Sequence, residues 1–370
     1  MDAASTDPQQ EIGQDTSASA LAAARGGDET AFAALVEPHR RELRVHCYRM
    51  LGSFDEAEDL VQETFLRAWK GISDFGGRSS LRAWLYRIAS NACLDALDGR
   101  ARRVLPHHLS GPSDAGEALL PPRTDVPWLQ PFPDRLRDPV GGTSPIEPVG
   151  PVAPRDAEPD AIVEAKETLE LAFLAAIQHL PPRQRAVFLL RDVLGWPAKQ
   201  AAELLESSLA GVNSALQRAR ATMREQLPER RSEWVAPQEP SAEERAVLRR
   251  YMLAVERADV AAVAELLAED VRTTMPPWTL WMQGRDTVLA ALTESWNPES
   301  PAYVGRFRML ATRANGRPAL ATYVRGDGES AFRALAIGVV RIEGGRIAEI
   351  TAFHDSGLFP AFELPGELAA

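Results

Sequence analysis

Residues 54–69, FDEAEDLVQETFLRAW, and residues 79–95, SSLRAWLYRIASNACLD, set the reading of this chain. Ser53 followed by Glu56 has the form of a capping box, after which Ala57, Leu60, Val61, Phe65, Ala68 and Trp69 recur at helical spacing. The other side of that helix carries Asp55, Glu58, Asp59, Gln62, Glu63 and Arg67. Ser79 or Ser80 can cap a second helix, whose apolar series is Leu81, Trp84, Leu85, Ile88 and Ala92. Its outward set reads Arg82, Tyr86, Arg87, Ser90 and Asn91. From Asp55 to Glu63 there are five acids and no base, whereas Arg78 to Arg103 holds six bases and two acids. Solvated faces give charge runs too, and charge alone does not separate a docking surface from a plain one.

Outward from this pair, the chain of 370 residues is long enough for two or three domains, and 45% hydrophobic residues suffice for real cores. With 41 basic against 52 acidic residues the net charge is −11, and any nucleic-acid footprint must be local. Two cysteines, Cys47 and Cys93, exclude a disulfide scaffold and a four-cysteine zinc site, and they read as buried thiols. No run reaches the ~18 apolar residues that span a bilayer, and the N-terminus lacks the basic start and apolar core of a secretory signal. A soluble cytoplasmic protein, with no metal and no cofactor, is expected.

Residues 1–27 read as a disordered tail and 28–104 as a helical bundle. Residues 105–160 hold 13 of the chain's 28 prolines and read as an extended, flexible linker. Inside it, DVPWLQPFPD (residues 125–134) carries Trp128, Leu129 and Phe132, which invite burial, and it is expected to dock on the C-terminal unit. Residues 161–229 form a second helical block. Pro182 opens a helix through Leu194, Pro197 opens the short AKQAAELL, and a turn at residues 206–208 precedes a helix of about Leu209 to Glu225. Two helices joined by such a turn, at about residues 197–216, make a helix-turn-helix pattern. Nine bases against five acids between Arg183 and Arg231 make this block locally positive. Residues 241–365 open with one long helix, Glu243 to Leu267, and a second, Gly284 to Leu292. Asn315-Gly316, Gly326-Asp327-Gly328 and Gly344-Gly345 then separate four antiparallel strands over about 303–353, an α+β cone.

The first pair of helices resembles domain two of bacterial RNA polymerase sigma factors of the sigma-70 family, extracytoplasmic-function (ECF) type. The run LPPRQRAVFLLRDVLGWPAKQAAELLESSLAGVNSALQRARATMRE resembles sigma domain four, and GRIAEITAFHDSGLFPAFELP resembles the SnoaL-like branch of the nuclear-transport-factor-two-like (NTF2-like) fold. The fold class implied is multidomain, with two all-α sigma domains, a bundle and a helix-turn-helix, plus a C-terminal α+β NTF2-like cone. The resemblance implies that Asp59, Leu60, Val61, Gln62 and Glu63 contact core RNA polymerase through its β′ subunit, with β as a further partner. It also implies that Arg82, Tyr86, Arg87 and Asn91, with Trp84 more simply core, lie near the melted −10 strand of promoter DNA.

At the −35 element it implies Ser208, Gly211, Asn213, Ser214 and Gln217 near base edges or the nearest phosphates, with Arg218, Arg220 and Arg224 on phosphates. Val212, Leu216 and Ala219 continue the apolar stripe. Asn213 and Ala215 stand where the family is usually basic, which lowers the expected −35 affinity. The function implied is promoter-specific transcription initiation in the bacterial cytoplasm, at the nucleoid, without enzymatic activity. The C-terminal domain would regulate it intramolecularly, no membrane is expected among its partners, and an anti-sigma factor is left open.

Two rivals stand beside this reading. One is a helix-turn-helix regulator that works without polymerase, against which the acidic helix argues. The other is a SnoaL-like enzyme fused to a DNA-binding module. For that rival Trp278, Trp281 and His354, with Met275, Arg285 and Asp355, are the candidate pocket, although no paired acid and base stand out.

Overall fold

The computed structural model describes residues 19–77, 79–114, 121–137, 169–227 and 240–369. Helices α1 (Glu29–Val36), α2 (Arg40–Leu51), α3 (Phe54–Gly71) and α4 (Leu81–Leu97) form the first bundle. Ser53 caps α3 by accepting the Glu56 amide at 3.3 Å, and Ser80 does the same for Ala83 at 3.2 Å. Of the expected disordered tail, residues 19–25 are helical and Ala24 is buried, whereas residues 1–18 lie outside the described residues. Alanine-rich SALAAAR pattern alone resembles a solvated segment until the bundle covers one side of it.

The second helical unit holds α5 (Leu171–Gln178), α6 (Pro182–Phe188, widening to a π-turn over Leu189–Val193), α7 (Ala198–Leu204) and α8 (Leu209–Gln226). Of the expected block start, residues 161–168 lie outside the described residues.

In the C-terminal unit the expected long helix is two, α9 (Ala242–Glu256) and α10 (Val260–Leu266). The chain turns at Ala258, with φ of 52°, and Asp259 caps the new helix by accepting the Ala262 amide at 3.0 Å. There follow β1 (Leu267–Thr274), β2 (Trp281–Gln283), α11 (Arg285–Trp296), β3 (Arg306–Ala314), β4 (Arg317–Arg325), β5 (Ala331–Glu343), β6 (Arg346–Phe353) and β7 (Glu367–Ala369). The four strands from β3 to β6 and their three hairpins fall where the turn residues put them. Sequence patterning missed β1, β2 and β7. The sheet runs β2-β1-β6-β5-β4-β3, with β1 parallel to β6 and β7 paired to β5 beyond residue 365.

This sheet is buried on both faces. Leu320, Val340, Ile342, Ile347 and Ile350 pack with Val247, Leu248 and Tyr251 of α9. On the other face Ala319, Ala321, Tyr323, Ile337, Val339 and Phe353 join the core that runs through both helical units.

The linker, expected to be flexible, is a packed strap over its described parts, residues 105–114 and 121–137; residues 115–120 and 138–160 lie outside the described residues. Leu129 and Phe132 are fully buried and Trp128 nearly so. Phe132 stacks on Tyr48 and Phe54, at 4.8 and 5.8 Å between centroids. Gly52, at φ +71°, ends α2, and a Cβ there would come within 2.7 Å of Leu129. Its carbonyl accepts the Gln130 amide at 3.0 Å. Proline density excludes helix, but it does not exclude burial.

Acid should loosen this core. Burial first, with Arg49 adding, holds His46 down at about 3, beside Ser90 at 3.0 Å. A lowered imidazole favours the folded state above its unfolded value near 6.5, and that advantage drains as pH falls toward about 3. We expect the melting temperature to drop between pH 6.5 and 4, and His46→Gln to flatten that slope. An unchanged slope in the variant would assign the acid sensitivity elsewhere.

Candidate polymerase and promoter interface

The buried stripe of α3, Phe54, Ala57, Val61, Thr64, Phe65 and Ala68, sets what the helix can show outward. Val61 is fully buried and is withdrawn from the contact set, because at 100° per residue it falls on the stripe between Phe54 and Phe65. Leu60 and Glu63 are half-buried, while Asp59 and Gln62 are exposed beside Leu66, which is 47% exposed. Much of the acidity is neutralised locally. Glu56 pairs with Arg100 and Arg103 at 3.0 and 2.7 Å, Glu63 with Arg67 at 2.7 Å, and Glu58 with Arg44. Among the described residues Asp59 has no ion pair. The remaining patch is a carboxylate, an amide and a leucine.

On α4, Arg87 is exposed and Asn91 half-buried, as an outward strand-binding edge requires. Tyr86 is not outward: it is 1% exposed, against His46 and against Trp196 of the helix-turn-helix unit, at 5.1 and 5.2 Å between centroids. Ser90 is likewise buried. The physical reason is a third partner, since α6 and α7 lie against this face of α4. Arg82 donates from Nε to Glu42 at 2.7 Å and lies over the rings of Tyr86 and Trp196. Burial raises the Glu42 carboxyl, yet hydrogen bonds from His39 and Arg82 outweigh it and hold the group below its usual range. Trp84 is half-buried, 4.9 Å from the Phe75 ring, in a packing role.

Ser208 caps α8 by accepting the Gly211 amide at 3.0 Å. Ser208, Asn213, Ser214, Gln217, Arg218 and Arg224 are exposed along this helix, and Gly211 is half-buried. Val212, Leu216 and Ala219 are core, as their spacing indicates, and Ala215 joins them. Arg220 is committed to the fold: its Nε and Nη2 each donate at 2.8 Å to the buried Asp192, bracing α8 against the π-turn. It is not an unengaged phosphate clamp in this state. Arg218 donates to Ser214 at 2.6 Å.

The expected C-terminal pocket does not form around its three residues. Trp278 meets the edge of His354 at 5.0 Å, Trp281 Nε1 donates to the Ser110 carbonyl at 2.9 Å, and Arg123 donates its amide to Pro277 at 2.9 Å. Trp281 and the Pro277 carbonyl receive the strap. Burial holds His354 at about 4. Arg285 lies 3.8 Å from Glu269, Asp355 caps Gly357 at 2.9 Å, and Met275 is a half-buried neighbour of the helix-side core. A cavity of 370 Å³ lies between the sheet, α5 and residues 102–108, and none of these six residues lines it.

Sequence reading missed Asn315 altogether beyond its turn. At φ +55°, followed by Gly316 at +78°, it forms the β3–β4 hairpin and is fully buried. Its Nδ2 donates to Tyr48 Oη at 2.9 Å, in the first bundle, and to the Leu169 carbonyl at 2.6 Å, before α5. Its Oδ1 accepts the Phe132 amide at 2.9 Å, and its own amide donates to the Phe132 carbonyl at 3.0 Å. Gly316 donates to Asp134 at 2.8 Å. One turn therefore joins both helical units, the strap and the sheet. Arg185 adds a second joint. It is buried, held down at about 10 by that burial, and donates to Gln178 and Leu180 of its own unit and to the Met50 carbonyl of the first.

Among the described residues no helix is long and apolar enough to cross a membrane. Cys47 and Cys93 are fully buried, and Cys93 is pushed up by its hydrogen bond with Cys47 and by burial.

Comparison with known proteins agrees with this layout. Residues 35–103 match the family model for Sigma-70 region 2, residues 170–223 that for Sigma-70 region 4, and residues 248–350 the SnoaL-like domain. The ECF RNA polymerase sigma factor SigG of Mycobacterium tuberculosis is 43% identical over 345 residues, spanning 93% of this chain and 86% of that protein. A probable ECF RNA polymerase sigma factor of the same organism, SigI, is 27% identical over 84% of this chain and 89% of its own length. The crystal structure of the M. tuberculosis ECF sigma factor SigJ superposes with a TM-score of 0.53 at 21% identity, over 90% of this chain and all of that one, and shares the fold. With an identity of 43% across most of both chains, this chain belongs to the ECF family of RNA polymerase sigma factors.

Proposed function

We propose that this sigma factor docks on core polymerase through Asp59, Gln62 and Leu66, with Leu60 and Glu63 at the edge of the patch, and that the fold described above is its closed, waiting state. The partner surface at the polymerase would be basic with an apolar recess, which in the resemblance is β′. Arg87 and Asn91 serve the opened −10 strand, and Ser208, Asn213, Ser214, Gln217, Arg218 and Arg224 the −35 duplex. Acting at promoters places the protein in the cytoplasm at the nucleoid. Catalysis has no part in this reading.

The observation that carries the closed-state half is Trp196 against Tyr86 and Arg82. The two promoter readers face each other across one core, with the Arg82 and Tyr86 side of the −10 helix covered and Arg87 left exposed. Reading two separated DNA elements requires that the readers move apart, and the strap, once released from Asn315, supplies the span. The C-terminal sheet opposes that release.

The test is run-off transcription with core polymerase, comparing the full chain with one ending near residue 235. Promoter-dependent transcripts from both, with at least tenfold more from the shorter, are expected. Equal output would discard C-terminal restraint, and no transcript from either would discard the docking assignment.

A further inference from the structure

We propose that the 370 Å³ cavity between the C-terminal sheet, α5 and residues 102–108 binds a small organic anion, a carboxylate or phosphate carried on an apolar body, and that this ligand staples the closed state. The volume falls within the range of small-ligand sites. It is far larger than a bare oxyanion fills.

The sheet supplies the anion-binding wall. Arg272 on β1 and Arg341 on β5 flank Glu349 on β6 in direct register. Arg272 donates to Glu349 from Nε at 3.1 Å and Nη2 at 2.8 Å, and Arg341 donates from Nε at 3.2 Å. One carboxylate thus holds two guanidiniums side by side; Arg341 also donates from Nη1 to Glu343 at 2.6 Å, outside the lining, so the surplus positive charge of the cavity comes from Arg102 at its edge. Guanidinium forks fixed in this way match the oxygens of carboxylate or phosphate. Across the whole lining four arginines face two glutamates. The second glutamate, Glu170, is paired with Arg317, and burial pushes its carboxyl up against that pull.

The opposite wall carries three imidazoles and the Arg102 guanidinium. Burial keeps His108 at about 4 and His107 lower still, and it lowers His179 with help from Arg102. His107 Nδ1 is buried without a hydrogen-bond partner, a vacancy that a ligand oxygen or hydroxyl can satisfy. Beside these groups Leu171, Ala172, Ala175 and Ala176 make an apolar strip along α5, fit for the body of the ligand.

The lining comes from three parts of the chain: the strap, the helix-turn-helix unit and the sheet. A ligand touching all three binds the closed state and not an opened one, and mass action then favours closure. The binding site rests on the cavity alone; the stapling rests on the closed state proposed above.

The experiment titrates the full chain with phenyl phosphate and with benzoate, using phenol as the neutral control, by calorimetry and by the imidazole NMR signals of His107 and His108. At least one anion should bind and shift those signals, and phenol should bind at least tenfold more weakly. Preference for phenyl phosphate or for benzoate identifies the headgroup. Arg272→Gln, and separately the exposed Arg102→Gln, should weaken binding at least tenfold, and saturating anion should lower run-off transcription at least threefold. No binding of either anion at about 10 mM, equal binding of phenol, or undiminished affinity in both variants would overturn the site. Binding with unchanged transcription would overturn the staple while leaving the site in place. The truncation experiment tests the closed state separately.

Discussion

Asp59→Arg is expected to lower run-off transcription from core polymerase at least thirtyfold while leaving the fold intact. Asp59 is exposed, without an ion pair among the described residues, at the centre of the outward face of α3. A substitution there costs the isolated protein roughly 0.5 kcal/mol or less. Against a basic docking surface the reversed charge both removes an attraction and leaves the partner's cation facing another. Loss of one member of a desolvated interface pair costs about 2–5 kcal/mol, roughly thirtyfold or more in affinity. Co-purification with core polymerase reads this directly, and Lys70, on the same helix, offers a control with Lys70→Glu. Wild-type association by Asp59→Arg would remove the docking assignment. A rival that binds duplex without polymerase predicts that outcome.

Asn315→Ala should act in the opposite direction and raise transcription by about one hundredfold if release of the C-terminal sheet limits initiation. The substitution strands the Leu169 carbonyl and the Phe132 amide, and it deprives Tyr48 of a donor. An orphaned buried polar group costs about 1–3 kcal/mol, and two such groups sum to ~3 kcal/mol. That is about a hundredfold change in the closed-to-open ratio. Alanine at φ +55° adds backbone strain, and Asn315→Gly separates the two causes because glycine accepts that conformation. Both variants should enlarge the radius of gyration in solution scattering. Unchanged scattering and unchanged transcription in both would show that the hairpin does not restrain the readers.

Which residues α3 and α8 turn outward was legible in the sequence because each helix rests on a local period. A helix with apolar residues at 54, 57, 61, 65 and 68 must show 59 and 62 on the other side, whatever lies beyond. Val61 is the exception that the same period explains, for a four-letter motif covers more than one side of a helix. Arg220 was misread because its partner, Asp192, lies 28 residues away on a π-turn that no propensity announces. Tyr86 was misread for a similar reason. It packs between His46 and Glu42 of its own bundle and Trp196, 110 positions further along the chain, and the last of these closes over it.

Helix caps, hairpin turns and the burial-prone strap could be read from neighbouring residues, because a cap, a turn or a hydrophobic period is settled within a few positions. That covers the three units, their order and the family. How those units sit together came only from folding. Asn315 binds Tyr48, Phe132 and Leu169 across separations of 267, 183 and 146 residues, and the cavity draws its lining from three parts of the chain. Contacts between surfaces so distant depend on shape, charge and desolvation fitting at once, and linear spacing records none of these.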